Sequence, residues 1–134
     1  VKDLKFIEKL NPEMCGIGPF VPHKDTKFKN EKHGDVSLVL MLLSIIRLLK
    51  PNILLPATTA LGTVDPLGRE KGILHGANVV MPNLSPVKHR KDYSLYDNKI
   101  CTGDEAAQCI GCLADRMKKI GCEIVTDRGD YTEK

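Results

Sequence analysis

The sequence predicts an α/β fold made of three βα units of a TIM-type (β/α)8 barrel, followed by a C-terminal helix. Two observations predict it. Three short apolar runs, Met14-Cys-Gly-Ile-Gly-Pro-Phe20, Leu54-Leu-Pro-Ala-Thr-Thr-Ala60 and Ala77-Asn-Val-Val-Met-Pro-Asn83, alternate with helical stretches, and strand ends that meet helices through loops are where such barrels keep their chemistry. The chain has 134 residues, about one domain, whereas a closed barrel takes eight staves and about 250 residues. The expectation is therefore one part of one barrel domain. Staves would run to about residue 100, a cysteine-bearing helix over 101–122 and a polar tail over 123–134.

The elements follow in order from spacing and punctuation. Val1, Leu4, Ile7 and Leu10 recur at helical spacing, and Asn11-Pro12 stops that helix before the first strand opens at Met14. Gly16 and Gly18 weaken a strand interior unless another backbone or a ligand comes close, or a barrel bend needs them for packing. Pro19, Pro22 and the polar stretch 23–34 read as a long loop, and Asp35 is placed to cap a helix over 36–49. In that helix only Ser37, Ser44 and Arg47 interrupt the apolar pattern, so nearly all of its surface is expected to be buried. A second strand is expected over 53–60, then a turn. Asp65-Pro66 starts a short helix that Gly76 closes, the third strand covers 77–81, and a loop rich in proline and charge runs to Lys99. Thr102 and Glu105 form a capping-box pattern for the last helix, which Gly121 ends.

Composition narrows the function classes. Hydrophobic residues make up 42%, charged residues 28% and aromatics 4%, and the formal net charge is +3. This balance is too mild, and the aromatics too few, for a nucleic-acid partner. The lysines at 24, 27, 29 and 32, and the run from Lys88 to Lys91, read as solvated loop faces. The longest apolar run, 36–49, falls short of the roughly 20 residues of a membrane span, and no secretory signal is read, so no membrane is expected. Five cysteines without such a signal point to a reducing compartment, with the cytoplasm as default.

The cysteines are the clearest metal signal. Cys101, Cys109 and Cys112 are spaced C-x7-C-x2-C, and positions 109 and 112 fall on one face of a helix. Three such thiolates can hold an iron-sulfur cluster, or a tetrahedral zinc with Cys122 as fourth ligand. Cys15 reads instead as a small core hydrophobe. The four histidines have no paired ligand spacing, His23 included.

In combination, Gly16-Ile-Gly-Pro-Phe-Val-Pro-His-Lys-Asp-Thr26, Pro56-Ala-Thr-Thr-Ala-Leu-Gly62, Gly68-Arg-Glu70, Gly76-Ala-Asn-Val-Val-Met-Pro-Asn83 and Tyr93-Ser-Leu-Tyr96 carry a family likeness. The chain resembles the C-terminal part of the radical S-adenosylmethionine (SAM) maturases of FeFe hydrogenase, in the biotin synthase-like branch. The likeness to biotin synthase itself is weaker. Lys24-Asp-Thr26 stands where that enzyme has Gly-Thr-Pro, and no arginine occurs between Leu48 and Gly68.

The resemblance implies a full barrel whose upstream half carries a Cys-x3-Cys-x2-Cys motif for a 4Fe-4S cluster that splits SAM into a 5′-deoxyadenosyl radical. That motif does not occur in these residues, so the chain alone is expected to be inactive and to contain no catalytic residue. The family helps build the dithiomethylamine bridge of the hydrogenase cluster, acting on a small iron-cyanide-carbonyl-cysteine complex from a partner maturase. It further implies that Thr58, Thr59, Met81, Tyr93 and Tyr96 bind substrate, and that Met14, Gly16, Ile17, Gly18 and Phe20 lie beside SAM in an apolar wall. Cys101, Cys109 and Cys112 would hold an accessory iron-sulfur cluster, 2Fe-2S or 4Fe-4S, found in some members. Successive threonines on a strand point to opposite faces, so at most one of Thr58 and Thr59 faces the cavity unless the strand end bulges. Two alternatives stay open: another radical SAM enzyme of the same branch, or a non-catalytic iron-sulfur or zinc module.

Overall fold

A computed structural model describes residues 1–93, 95–100, 106–125 and 127–132, without the side chains of 91 and 106–109. Helices dominate it: α1 (Lys2–Leu10), α2 (Val36–Leu49), α3 (Thr59–Val64), α4 (Gly68–Leu74), a 3-10 helix (Val87–Tyr93) and α5 (Ala106–Lys119). Between them run three extended segments that touch through isolated parallel bridges, Met14 to Leu54 and Pro56 to Val79. No named strand forms among the described residues, so the structure does not confirm the three expected βα units; it shows helices alternating with extended segments that meet only through these parallel bridges.

The helix ends follow the local chemistry. Asn11 takes left-handed backbone at φ 52° and its amide donates to the Ile7 carbonyl, a conformation that asparagine tolerates better than most residues. Asp35 caps α2 by accepting from the Ser37 amide at 2.7 Å. Gly121, at φ +76°, follows α5 and donates to the Lys118 carbonyl. The expected cap at Thr102 and Glu105 lies outside the described residues.

The core lies between the extended segments and the helices. Val39, Leu40, Leu43 and Ile46 of α2 pack with Ile53, Leu55, Ala57, Leu61 and Ala77, and Leu4, Ile7, Cys15, Ile17 and Ile73 lean on that cluster. Burial of aliphatic area of this kind is the main force holding the layer together. Arg47 seals one end. Its Nε donates to the Gly76 carbonyl at 2.8 Å and its Nη1 to Pro51 at 2.6 Å.

Four expectations are corrected. The second extended segment stops before Thr59, because the Thr58 hydroxyl accepts from the Leu61 amide at 3.2 Å and starts α3 in place of a strand end. The following helix begins at Gly68, not at Pro66, since Asp65 spends its carboxylate on the Leu67 amide and on Lys71. α2 is buried along one face only. Leu38 and Met41 are about half exposed and Leu48 is 81% exposed, so its apolar residues form a second, outward stripe. Finally, the run from Lys88 to Lys91 is not wholly solvated: Arg90 is 2% exposed, and it donates to the carbonyls of Ser85 and Asn83 to hold the 3-10 helix against Met81-Pro82-Asn83.

Candidate functional site

Register places the site. The Leu54 amide donates to the Glu13 carbonyl and the Cys15 amide to the Leu54 carbonyl, which sets Met14 level with Leu54. The Val79 amide donates to Leu55 and the Ala57 amide to Val79, setting Pro56 level with Val79. Counting on from these pairs brings Gly18, Thr58 and Met81 to one level at the C-terminal ends of the segments. Geometry agrees for the first two: a Cβ built on Gly18 would lie 2.7 Å from Thr58 Oγ1. Gly18 therefore serves a close approach between segments, whereas a Cβ on Gly16 would meet nothing within 4 Å.

Helix α3 splits the two threonines. Thr58 remains in extended backbone and caps the helix, while Thr59 becomes its first residue. Thr59 Oγ1 accepts from Arg69 Nη2 at 3.0 Å, and Arg69 is 2% exposed. Two glycines allow this. A Cβ on Gly68 would run into the Leu61 carbonyl, and one on Gly72 would press on Leu61 and Ala57 at 3.1 and 3.2 Å, so α4 lies close enough beneath α3 for Arg69 to reach Thr59. Thr59, Arg69, Met81, Asn83 and Lys99 then line a small cavity of about 170 Å³.

A cover folds back over this end. The Asp97 amide donates to the Pro22 carbonyl at 3.0 Å and the Ile100 amide to Thr63 Oγ1 at 3.4 Å. Lys99 Nζ donates to the Tyr93 carbonyl at 3.1 Å, tying the start of the cover to its end. Beside it, the long loop closes on itself: the Gly34 amide donates to Phe20, and the Phe20 and Phe28 rings meet edge to face with centroids 6.0 Å apart.

At this point sequence comparison adds a relative. Over 129 residues, 96% of this chain, 45% of positions are identical to the FeFe hydrogenase maturase subunit HydE of Thermotoga maritima. The chain is homologous to HydE. It spans 37% of HydE's length. A more distant relative is the 3-methylornithine synthase of Methanosarcina acetivorans, 25% identical over 92% of this chain and 34% of that enzyme. No family model matches the chain.

With the likeness to HydE in view, the expected site residues fall into groups. Gly18, Thr58, Thr59 and Met81 come together, and Phe20 lies half exposed on the loop beside them. Met14 does not join them. It stands four residues before Gly18, about 13 Å away along an extended chain, and lines a separate cavity of about 380 Å³ with Leu54, Asn78 and the tail after Cys122. Ile17, with Cys15, is partly buried against the core cluster. Tyr93 is 60% exposed and borders a different depression with Ser85, Pro86 and His89. Tyr96 is half-buried in the cover.

The cysteine expectation is only partly in reach. Cys101 and the Cys109 side chain lie outside the described residues, and Cys112 is exposed on α5. Among the described residues, no group of three or more cysteine, histidine or carboxylate side chains could hold a metal ion. α5 itself is firmly docked. Arg116 donates from Nε and Nη2 to the two carboxylate oxygens of Glu70 at 2.5 and 2.6 Å, and Leu113 and Met117 are buried beneath it. Burial pushes the Glu70 carboxyl up, but the Arg116 hydrogen bonds and charge outweigh it and hold the group below the usual carboxylate range. Burial raises the Cys15 thiol, which suits an inert packed cysteine.

Arg69, Glu70 and Arg116 were missed as functional candidates. The glycines flanking Arg69-Glu70 at 68 and 72 were the available signal, since paired glycines on a short helix indicate close packing at that point. Among the described residues, no helix is long and apolar enough to cross a membrane.

Proposed function

We propose that this chain is a segment of a radical SAM enzyme that assembles the FeFe-hydrogenase active-site cluster, contributing the substrate cavity and part of the SAM pocket. The observation that carries the reading is the 45% identity to HydE over 96% of the chain. The substrate is a small iron-cyanide-carbonyl-cysteine complex, the product carries the dithiomethylamine bridge, and the partners are the other hydrogenase maturases in the cytoplasm.

Each residue has a chemical task in this reading. The Thr58 hydroxyl accepts from the Leu61 amide, and the Thr59 hydroxyl from Arg69. Each hydroxyl therefore has its own hydrogen to give to a cyanide nitrogen or a carboxylate. Met81 supplies apolar wall that keeps water and its solutes out of the site, and Tyr96 closes the cover. Open space beside Gly16 suits the flat ring of a bound SAM, which supplies the radical chemistry when its cluster is in place. Residues for that cluster are absent from these 134, so no step of this chain runs through it. Cys101, Cys109 and Cys112 would hold the accessory iron-sulfur cluster on docked α5.

The similarity to 3-methylornithine synthase favours a second reading, another radical SAM enzyme of the same branch acting on an amino-acid-derived substrate. Maturation of apo-hydrogenase by the full-length protein separates the two. Active hydrogenase supports the first reading, and SAM cleavage without maturation supports the second. Anaerobic reconstitution with iron and sulfide, with Cys101→Ser beside wild type, tests the accessory cluster. An iron-sulfur absorption lost in the variant is expected; equal spectra would remove that assignment.

A further inference from the structure

The segment from Phe20 to Gly34 is a loop closed at its neck. The Gly34 amide donates to the Phe20 carbonyl at 2.8 Å, and a Cβ on Gly34 would lie 2.7 Å from the Phe20 nitrogen, so glycine is what lets the two ends meet. Compact surface loops closed in this way are frequently functional. Inside it, the Thr26 amide and hydroxyl both donate to the His23 carbonyl, at 3.1 and 2.9 Å, and the hydroxyl oxygen accepts from the Phe28 amide at 3.2 Å. The Phe28 carbonyl accepts from the Glu31 amide at 2.9 Å, and its ring meets that of Phe20 edge to face. Phe28 is thus fixed at its amide, its carbonyl and its ring, yet it is 57% exposed. Lys24, Lys27, Lys29 and Lys32 on either side of it are all exposed, and none of the four forms an ion pair among the described residues.

Loop lysines are ordinarily just solvated, and a single exposed phenylalanine needs no explanation. Their conjunction on an internally bonded loop does. An aromatic fixed in advance and flanked by free cations is how a protein interface presents an anchor, because ordering it beforehand lowers the cost of binding. The pattern also selects the partner. Phe28 is the one apolar residue between 23 and 33, too little to enter a membrane, and Asp25 and Glu31 interrupt the lysines, which disfavours the uniform charge of a nucleic-acid backbone. An acidic protein face with an apolar recess fits both features. The neck of the loop adjoins the level of Gly18 and Thr58, and the Asp97 amide ties Pro22 to the cover, so a protein seated here stands at the mouth of the site. We propose that the loop over 20–34 is a docking surface for the acidic face of a partner protein, with Phe28 as its anchor and the four lysines as its charge complement. The partner is the protein that hands over or receives the small substrate. That last identity rests on the reading of the chain as part of a maturation enzyme; the chemistry of the loop does not.

Dansyl-labelled hexaglutamate is the probe for the acidic face, titrated into the full-length protein at low salt and followed by fluorescence anisotropy. Lys27→Glu/Lys29→Glu is expected to weaken it about tenfold or more, while Lys118→Glu/Lys119→Glu, which reverses two exposed lysines on α5, leaves it unchanged. Each of the other hydrogenase maturases, purified, is then titrated in its place. One is expected to bind with an affinity that falls as salt rises, and Phe28→Ala to weaken it about tenfold without changing that salt dependence. Both double lysine variants are expected to cleave SAM at the wild-type rate. Hexaglutamate binding that ignores Lys27→Glu/Lys29→Glu would overturn the proposal, as would a maturase bound equally by every variant. Binding to phosphatidylserine vesicles with none to hexaglutamate would assign the loop to a membrane and overturn it too. Hexaglutamate binding that is lost in Lys27→Glu/Lys29→Glu, in a wild type that matures no hydrogenase, contradicts only the functional reading. Maturation undiminished in Lys27→Glu/Lys29→Glu contradicts only the docking surface.

Discussion

Gly18 and Thr58 approach so closely that a methyl group on residue 18 would sit 2.7 Å from the Thr58 hydroxyl oxygen. That contact joins two parallel segments at the level where Thr58, Thr59 and Met81 gather, and it couples strand packing to the site. Gly18→Ala is expected to push Thr58 off its cap and to cost about 1–3 kcal/mol, the usual range for overpacking. Chemical denaturation measures it; a stability within error of wild type would show that Thr58 moves freely.

Thr58 also has a purely structural duty, because its hydroxyl starts α3. Thr58→Ala should cost ~1 kcal/mol for the lost cap, and Thr58→Ser should recover most of it. If serine restores stability but not hydrogenase maturation, the methyl group of Thr58 contributes to the cavity; if it restores both, the hydroxyl alone matters.

The Glu70–Arg116 pair docks the cysteine-bearing helix. Arg116→Met is expected to destabilise by ~2 kcal/mol, the loss of a charged hydrogen-bonded contact, and to raise hydrogen exchange in α5 more than in α2. The pair also sets a pH dependence. Glu70 is held below its ordinary value, so its contribution is complete above the unfolded carboxylate pKa and is lost as pH falls through the lower folded one. Acid titration of wild type and Glu70→Gln should converge at the acid end and separate toward neutrality; parallel curves would deny the pair a role.

Gly76 sits at φ +105°, and a Cβ there would lie 2.8 Å from the Arg47 Cβ. Gly76→Ala combines backbone strain with a clash against the α2 seal, so about 2 kcal/mol or more of destabilisation is expected. Urea denaturation checks this, with Gly16→Ala as a control at an open position expected to show no clash.

The bounds of α2 and its cap at Asp35 were legible because apolar periodicity and an aspartate before it act over a few residues. The parallel order of the three segments was legible from their alternation with helices. Burial was less so: α2 looks buried all round in sequence, yet Leu38, Met41 and Leu48 face outward, since composition does not say which neighbours are present. Thr59 illustrates a competition that sequence leaves open. Threonine favours strands, but Thr58 can cap and Ala60-Leu61 favour helix, and the cap prevails. The surroundings of Ile17 and Met14 depend on neighbouring segments that spacing does not reveal: Ile17 leans on the core cluster, and Met14 lines the cavity beside Leu54 and the tail. Arg69 was hidden because a charged residue on a short helix ordinarily reads as surface; only the packing permitted by Gly68 and Gly72 makes it interior.

The central claim is that the level of Thr58, Thr59 and Met81, under the cover that carries Tyr96, handles the substrate of hydrogenase maturation. It is tested most directly with the full-length protein bearing Thr58, Thr59 and Tyr96 all replaced, by measuring SAM cleavage and hydrogenase maturation side by side. The account expects SAM cleavage to persist while maturation is lost. Maturation at the wild-type level in that variant would contradict it.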